Sequence, residues 1–308
     1  MTADNDDALF TGLSAFPLTP LHGEDLDEEA YIGLIERLVL AGVDSITALG
    51  STGSYVYLDP EERARVAQLS VDSALDIPVF VGIGALRTRD VLANARTAEA
   101  AGAKGLLLAP VSYQPLTDDE VFALFRTVAE ETSLPIAVYD NPGTTHFTFS
   151  TELYARLAEL EAVASIKIPG AALSPAGWDE RIGAIRAAVG HEVTIGISGD
   201  AFGAEGLIAG CDAWYTAVGG TLPEPILAIT RAAELGNAEQ ARELSAELQP
   251  LWDLFAEYGG SLRVTAAIAE HLGLVGDHSL PLPIHGLDEA ARAEVAKVVE
   301  QQIGRAHV

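Results

Sequence analysis

Val163-Ala-Ser-Ile-Lys-Ile-Pro-Gly170 reads as a short strand, and what flanks it decides the fold. The run is rich in β-branched residues, leaves no clearly polar face for water, and stops at Pro169-Gly170. A strand buried on both faces belongs in a parallel sheet covered by helices on each side. Working outward, a strand over 135–139 and a helix over 150–160 precede it, and a helix over 176–189 and a strand over 192–197 follow. Towards the N-terminus the alternation continues through strands at 9–17, 45–49, 78–83 and 105–109. Helices at 27–41, from Asp59-Pro60-Glu61-Glu62 onward, at 88–101 and at 117–132 separate them. Towards the C-terminus come a helix at 200–209, a strand at 213–218 and a helix from Pro223 to Leu235. Eight strand–helix units in roughly 230 residues match an α/β fold of the (β/α)₈ TIM-barrel kind. A doubly wound open sheet is the alternative, but Phe16-Pro-Leu-Thr-Pro20 after the first strand is not a glycine-rich dinucleotide fingerprint. Beyond Gly236 the pattern is all helical (237–257, 260–272, 288–303). The expected organisation is therefore a barrel over 1–236 with a C-terminal helical extension over 237–308 packed on it.

The amine inside the opening strand needs a reason. The chain has three lysines; Lys104 opens an apolar run and Lys297 lies on a helical pattern, both where the head group can reach water. Lys167 lies within a strand instead. A buried ammonium tends to lose its proton, and a neutral amine is a nucleophile towards carbonyl carbon. A strand-end lysine that snorkels to solvent is the structural alternative, and the strand alone leaves both open.

Composition narrows the function classes. A formal net charge of −27 makes nucleic acid or an anionic membrane surface an unsuitable partner, and an anionic substrate must be held by local groups. One cysteine, Cys211, excludes an intramolecular disulfide; it reads as a small buried hydrophobe. The seven histidines show no metal-ligand spacing, so neither metal nor cofactor is expected. The acidic start Met1-Thr-Ala-Asp-Asn-Asp-Asp7 lacks an apolar signal region, and no apolar run is long enough to span a bilayer; the expectation is a cytoplasmic protein.

In barrels of this kind chemistry sits at the C-terminal ends of the strands. Three features land there together: Lys167 near the end of strand six, Tyr139 closing strand five before the turn Asp140-Asn-Pro142, and Ser51-Thr52 in the glycine-flanked loop after strand two. Taken singly, a strand-end tyrosine is a half-buried ring and Gly50-Ser-Thr-Gly53 a flexible turn. Together they supply an amine to attack a ketone, a phenol to move protons, and a hydroxyl-and-amide nest for a carboxylate. That set suits Schiff-base chemistry on a 2-oxo acid.

Gly50-Ser-Thr-Gly-Ser54, Tyr139-Asp-Asn-Pro142, Ile166-Lys-Ile168 and Ser198-Gly-Asp-Ala201 resemble, in order and spacing, the signatures of the dihydrodipicolinate synthase/N-acetylneuraminate lyase family. The resemblance covers essentially the whole chain. It implies a class I aldolase-type barrel, homotetrameric or dimeric, that binds pyruvate, another 2-oxo acid or a sugar acid. It makes Lys167 the imine-forming lysine, Tyr139 the proton-transfer phenol and Ser51 a further member of the relay. Ser51 and Thr52 would hold the substrate carboxylate, and Gly199, Thr145 and the segment around Tyr215 would line the pocket. A core tyrosine is the structural reading of Tyr215.

The departures matter as much. Synthase members carry an arginine just after the Tyr-Asn-x-Pro turn, where this chain has Gly143-Thr-Thr145. They also use a neighbouring subunit's tyrosine from the loop after strand four; here Ser112 takes that place and Tyr113 is offset by one. Ser54 and Ile168 stand where glutamates are usual. Lysine-biosynthetic synthesis is therefore not expected, while lyase, aldolase or dehydratase chemistry through the same imine is. Arg87, after strand three, could supply the missing positive charge but reads first as a solvated loop residue. His146 reads as surface decoration and Asp200 as a helix cap. Two other functions stay in play: a phosphosugar enzyme using Gly199-Asp200 and Gly219-Gly220, and a 2-oxo-acid-binding paralogue without turnover.

Overall fold

A computed structural model describes residues 9–306; the acidic N-terminal segment and the last two residues lie outside it. Eight parallel strands close into a barrel: β1 Gly12–Ala15, β2 Ser45–Ala48, β3 Val79–Gly82, β4 Gly105–Leu108, β5 Ile136–Tyr139, β6 Val163–Pro169, β7 Thr194–Ser198 and β8 Ala213–Thr216. Each is followed by a helix: α1 Glu28–Ala41, α2 Pro60–Ser73, α3 Thr88–Ala101, α4 Asp118–Glu131, α5 Thr151–Ala158, α6 Pro175–Val189, α7 Gly203–Ile208 and α8 Pro223–Glu234. β1 closes the ring by pairing with both β2 and β8. The C-terminal helices are α9 Ala238–Glu247, α10 Gln249–Glu257, α11 Ser261–His271 and α12 Glu289–Ala306. No helix among the described residues is long and apolar enough to cross a membrane.

Local chemistry sets the helix starts. Asp59 Oδ1 accepts the N–H groups of Glu61 and Glu62 (both 2.8 Å) while Glu62 Oε2 accepts the Asp59 N–H (2.7 Å), a reciprocal cap with Pro60 in the first turn. Thr117 and Glu120 do the same for α4. Three elements are shorter or more broken than the sequence pattern suggests. The first strand shrinks to Gly12–Ala15. The helix expected over 200–209 is a 3₁₀ turn, Asp200–Phe202, followed by α7. The helix expected over 237–257 breaks at Leu248, because Pro250 cannot donate to the preceding turn and instead opens α10.

Strand residues divide cleanly by direction. Ile46, Val81, Leu106, Val138, Ile166, Ile168, Ile197 and Trp214 join the layer between barrel and helices. Phe10, Phe16, Phe80, Leu107, Ala137, Tyr139 and Tyr215 form a separate cluster inside the barrel. The inside is partly polar: Ser14 Oγ and Thr47 Oγ1 are 2.7 Å apart, and Ser165 Oγ and Tyr215 Oη 2.8 Å apart. α11 packs Ala266 and Ala269 against Leu18, just after β1, and Leu34 of α1. The extension thereby reaches the C-terminal mouth of the barrel.

Candidate active site

β5 and β6 run in a register that places Tyr139 directly beside Lys167, and Lys167 in turn beside Gly196 of β7. Lys167 points inward and is 5 % exposed. Its Nζ lies 3.8 Å from the centroid of the Tyr139 ring and 5.2 Å from that of Phe16. No carboxylate lies within ion-pair distance of this amine among the described residues. Burial therefore pulls the Lys167 pKa below the ordinary lysine value; Tyr139, then Asp200 and Asp140, oppose it and do not overcome it. The result is an amine whose neutral form is favoured by burial, held in an aromatic slot.

The phenol of Tyr139 is tied on two sides. Asn141 Nδ2 donates to its oxygen at 2.8 Å, and Ser51 Oγ lies 3.1 Å from it, hydroxyl to hydroxyl. Ser51 is presented by a loop under backbone strain: Leu49 and Ser54, on either side of it, both sit in the left-handed region (φ 55° and 53°). That turn presses on β3 so closely that a Cβ at Gly82 would fall 1.8 Å from the Leu49 carbonyl oxygen. Thr52, next in the loop, is buried, and its hydroxyl has no protein partner among the described residues.

All of the residues expected at the site (Lys167, Tyr139, Ser51, Thr52, Gly199, Tyr215 and Thr145) line one cleft of about 1140 Å³ at the barrel mouth. They do not contribute alike. Tyr215 is both a core tyrosine and part of the floor: its hydroxyl bonds Ser165, and its ring occupies the space above Gly196, where a Cβ would fall 2.2 Å from it. Thr145 turns its hydroxyl to the Asn141 carbonyl (3.0 Å), so it holds the loop that carries Asn141. Arg87 and His146 do not line the cleft. Asp200 is a cap, though not of its own turn: it accepts the N–H groups of Ala217 (3.2 Å) and Val218 (2.9 Å) in the loop after β8. Burial raises its pKa, against the pull of those bonds, the Thr216 side chain and Lys167.

Three cleft residues were not singled out from sequence. Asn141 stands inside a quoted motif but reads there only as a turn former. Arg63 of α2 is buried, donates to the carbonyls of Gly82 (2.9 Å) and Gly84 (3.0 Å), and lies over the Tyr55 ring, so it clamps the end of β3 to the loop after β2. With no acid beside it, burial lowers its pKa to about 10. Arg263 arrives from α11, outside the barrel altogether. No group of three His, Cys, Asp or Glu side chains among the described residues could hold a metal ion.

Residues 9–302 match the model of the dihydrodipicolinate synthetase family. The chain belongs to that family. A 4-hydroxy-tetrahydrodipicolinate synthase of Phenylobacterium zucineum is 31 % identical over 292 residues, covering 94 % of this chain and 96 % of the relative. An uncharacterised DapA-like lyase of Halobacterium salinarum is also 31 % identical, over 88 % of this chain and 86 % of its own. Among solved structures, a dihydrodipicolinate synthase of Agrobacterium tumefaciens superposes with a TM-score of 0.91 at 46 % identity, covering 95 % of this chain and 98 % of that one. Membership in the dihydrodipicolinate synthetase family makes this chain a lyase of the class I, lysine-imine type on a TIM barrel, as its motifs lead one to expect.

Proposed function

We propose that this family member forms an imine between Lys167 and pyruvate or a related 2-oxo acid or sugar acid, and makes or breaks a bond next to it. One observation carries the reading: a buried amine without a carboxylate counter-ion, in register with a phenol that is itself bonded to Ser51. Ser51 and the unpartnered Thr52 hydroxyl would hold the substrate carboxylate, with Gly199 and Tyr215 shaping the floor. The Lys167 nitrogen adds to the keto carbon as the carbonyl oxygen takes a proton from Tyr139. The amine proton returns to the phenolate by way of Ser51. Tyr139 gives up its proton a second time, expelling that oxygen as water and leaving a protonated imine beside a phenolate that can then take the proton from the adjacent carbon. Loss of a proton from the adjacent carbon gives an enamine that can add to an aldehyde; the reverse cleaves the carbon–carbon bond, and expulsion of hydroxide from the neighbouring carbon is dehydration.

Lysine-biosynthetic synthesis is the less suited use of this chemistry. Thr144, not an arginine, follows the Tyr139 turn, and Ser112 stands where the synthases place the tyrosine that they lend to a neighbouring subunit, with Tyr113 offset by one. A homo-oligomer, dimer or tetramer, is part of the proposal. The phosphosugar alternative suffers because the Gly219 N–H already donates to Thr216 Oγ1 (3.0 Å), the Gly220 N–H donates to the Ala217 carbonyl (3.1 Å), and Asp200 adds an acid to the same end. Borohydride in the presence of pyruvate should add the mass of the reduced imine to Lys167. No adduct, or an equal adduct in Lys167→Ala, overturns the proposal.

A further inference from the structure

Among the described residues five charged side chains line the cleft: Arg63, Asp90, Lys167, Asp200 and Arg263. Four are committed. Lys167 is the proposed imine amine. Both terminal nitrogens of Arg63 donate to backbone carbonyls. Asp200 accepts from the loop after β8. Asp90 pairs with Arg89 at the rim, 3.1 Å away. Arg263 differs. Its Nε donates to the His285 carbonyl at 2.9 Å, which fixes the direction of the side chain, while its two terminal nitrogens have no partner among the described residues and no acid within ion-pair distance.

A guanidinium held by Nε alone keeps a two-pronged end, the arrangement that binds a carboxylate through two parallel hydrogen bonds. On a chain of net charge −27 such a cation has many acids to pair with, yet Arg263, exposed and lining the cleft, has none within ion-pair distance among the described residues. The cleft is also far too large for a three-carbon acid alone: about 1140 Å³ exceeds the roughly 300–1,000 Å³ of pockets that hold drug-sized ligands. The turn Tyr258-Gly259-Gly260 that delivers α11 lines the same wall, as do Ser261 and Leu262. The amine end and the Arg263 end belong to different parts of the chain, one on a barrel strand and one on the extension.

We infer that Arg263 is a specificity-determining residue that binds a second carboxylate at the far end of the substrate. The preferred substrates are then 2-oxo acids that carry a remote carboxylate, or aldol products that deliver one there. This inference rests on the lysine-imine reading of the same cleft.

Borohydride trapping at fixed time tests it, with half-saturating concentrations measured for pyruvate, 2-oxoadipate and 2-oxohexanoate. The last matches 2-oxoadipate in carbon count and lacks the remote carboxylate. In the wild type 2-oxoadipate should half-saturate at lower concentration than 2-oxohexanoate. Arg263→Ala should raise the 2-oxoadipate to 2-oxohexanoate ratio about tenfold, the loss of one charge-assisted pair, and Arg263→Lys by less. Arg87→Ala, outside the cleft, should leave the ratio unchanged. A ratio that does not respond to Arg263→Ala, or responds equally to Arg87→Ala, overturns this inference while pyruvate trapping on Lys167 still supports the imine. Failure of every 2-oxo acid to be trapped by the wild type overturns both.

Discussion

The two ends of this barrel treat charge in opposite ways. At the N-terminal end, Asp44 accepts the Leu13 N–H (2.7 Å) and a two-pronged contact from Arg231 of α8, at 2.8 and 2.9 Å. Asp212 does the matching service between β7 and β8, accepting the Ile195 N–H (2.7 Å) and pairing with Arg186. Each carboxylate there ties a strand start to a helix. At the C-terminal end three charges, those of Lys167, Arg63 and Asp200, are buried and incompletely matched. Lys167 has no ion-pair partner, Arg63 has only carbonyls, and Asp200 is held above its ordinary pKa by burial. Leu49 adds backbone strain beside Ser51. Burial that would destabilise a core is, on the proposed reading, what makes Lys167 a nucleophile. One end of the barrel secures the fold, and that security lets the other end stay reactive.

Substitutions can break this contrast from either side, and the largest effect is expected at the amine. Lys167→Met should lower turnover on the order of 10³-fold or more while leaving the melting temperature unchanged or higher, since an apolar side chain replaces a buried amine. A marked fall in melting temperature would show that Lys167 holds the barrel together and that the contrast is false. Tyr139→Phe should slow imine formation about 10²-fold in single-turnover trapping, with Ser51→Ala milder, because only proton transfer is impaired. At the opposite end, Asp212→Ala should leave the trapping rate near wild type and destabilise by about 1–2 kcal/mol, a hydrogen-bonded charge pair discounted for partial exposure. In a chain of this size that lowers the melting temperature by roughly 2–8 °C in calorimetry. Loss of trapping without loss of stability in Asp212→Ala would invert the assignment of the two ends.

The smallest effect is a matter of pH. The Lys167 pKa is lower folded than unfolded, so between those two values the unfolded chain binds the extra proton and stability rises with pH. The stability gained by Lys167→Met should therefore be absent above the ordinary lysine pKa and grow as pH falls towards the folded value. Asp140 behaves in the mirror sense. Burial raises its pKa to about 6 despite the Tyr154 hydroxyl that donates to it at 2.5 Å. Its contribution is present below the ordinary aspartate range and lost as pH rises through about 6. Asp140→Asn should flatten that part of a denaturation-versus-pH curve; an unchanged curve would show that Asp140 titrates normally.

The grouping of the candidate residues at one cleft was legible wherever a strand carried it. Lys167, Tyr139 and Ser51 sit at or just beyond strands whose apolar faces announce them, and the strand–helix alternation alone brings their ends to one mouth. What stayed hidden crosses the chain. The Asp200 contact joins the loops after β7 and β8, so a cap on its own helix is the natural reading of Gly-Asp-Ala. Arg63 follows a strong helix-start signal that explains its neighbours and says nothing of its side chain. Arg263 belongs to a helix that no barrel pattern positions. Arg87, by contrast, is in the loop a barrel reading points to, and its side chain lies away from the cleft.

The brace from Asp200 to Ala217 and Val218 has a dynamic consequence. If Lys167 forms the proposed imine, its fixed positive charge lies near a carboxyl whose burial works against ionisation. The carboxyl then becomes a better acceptor for those two amides. Covalent loading should thus slow hydrogen exchange at Ala217 and Val218, so that the eighth loop stiffens whenever the sixth strand is occupied.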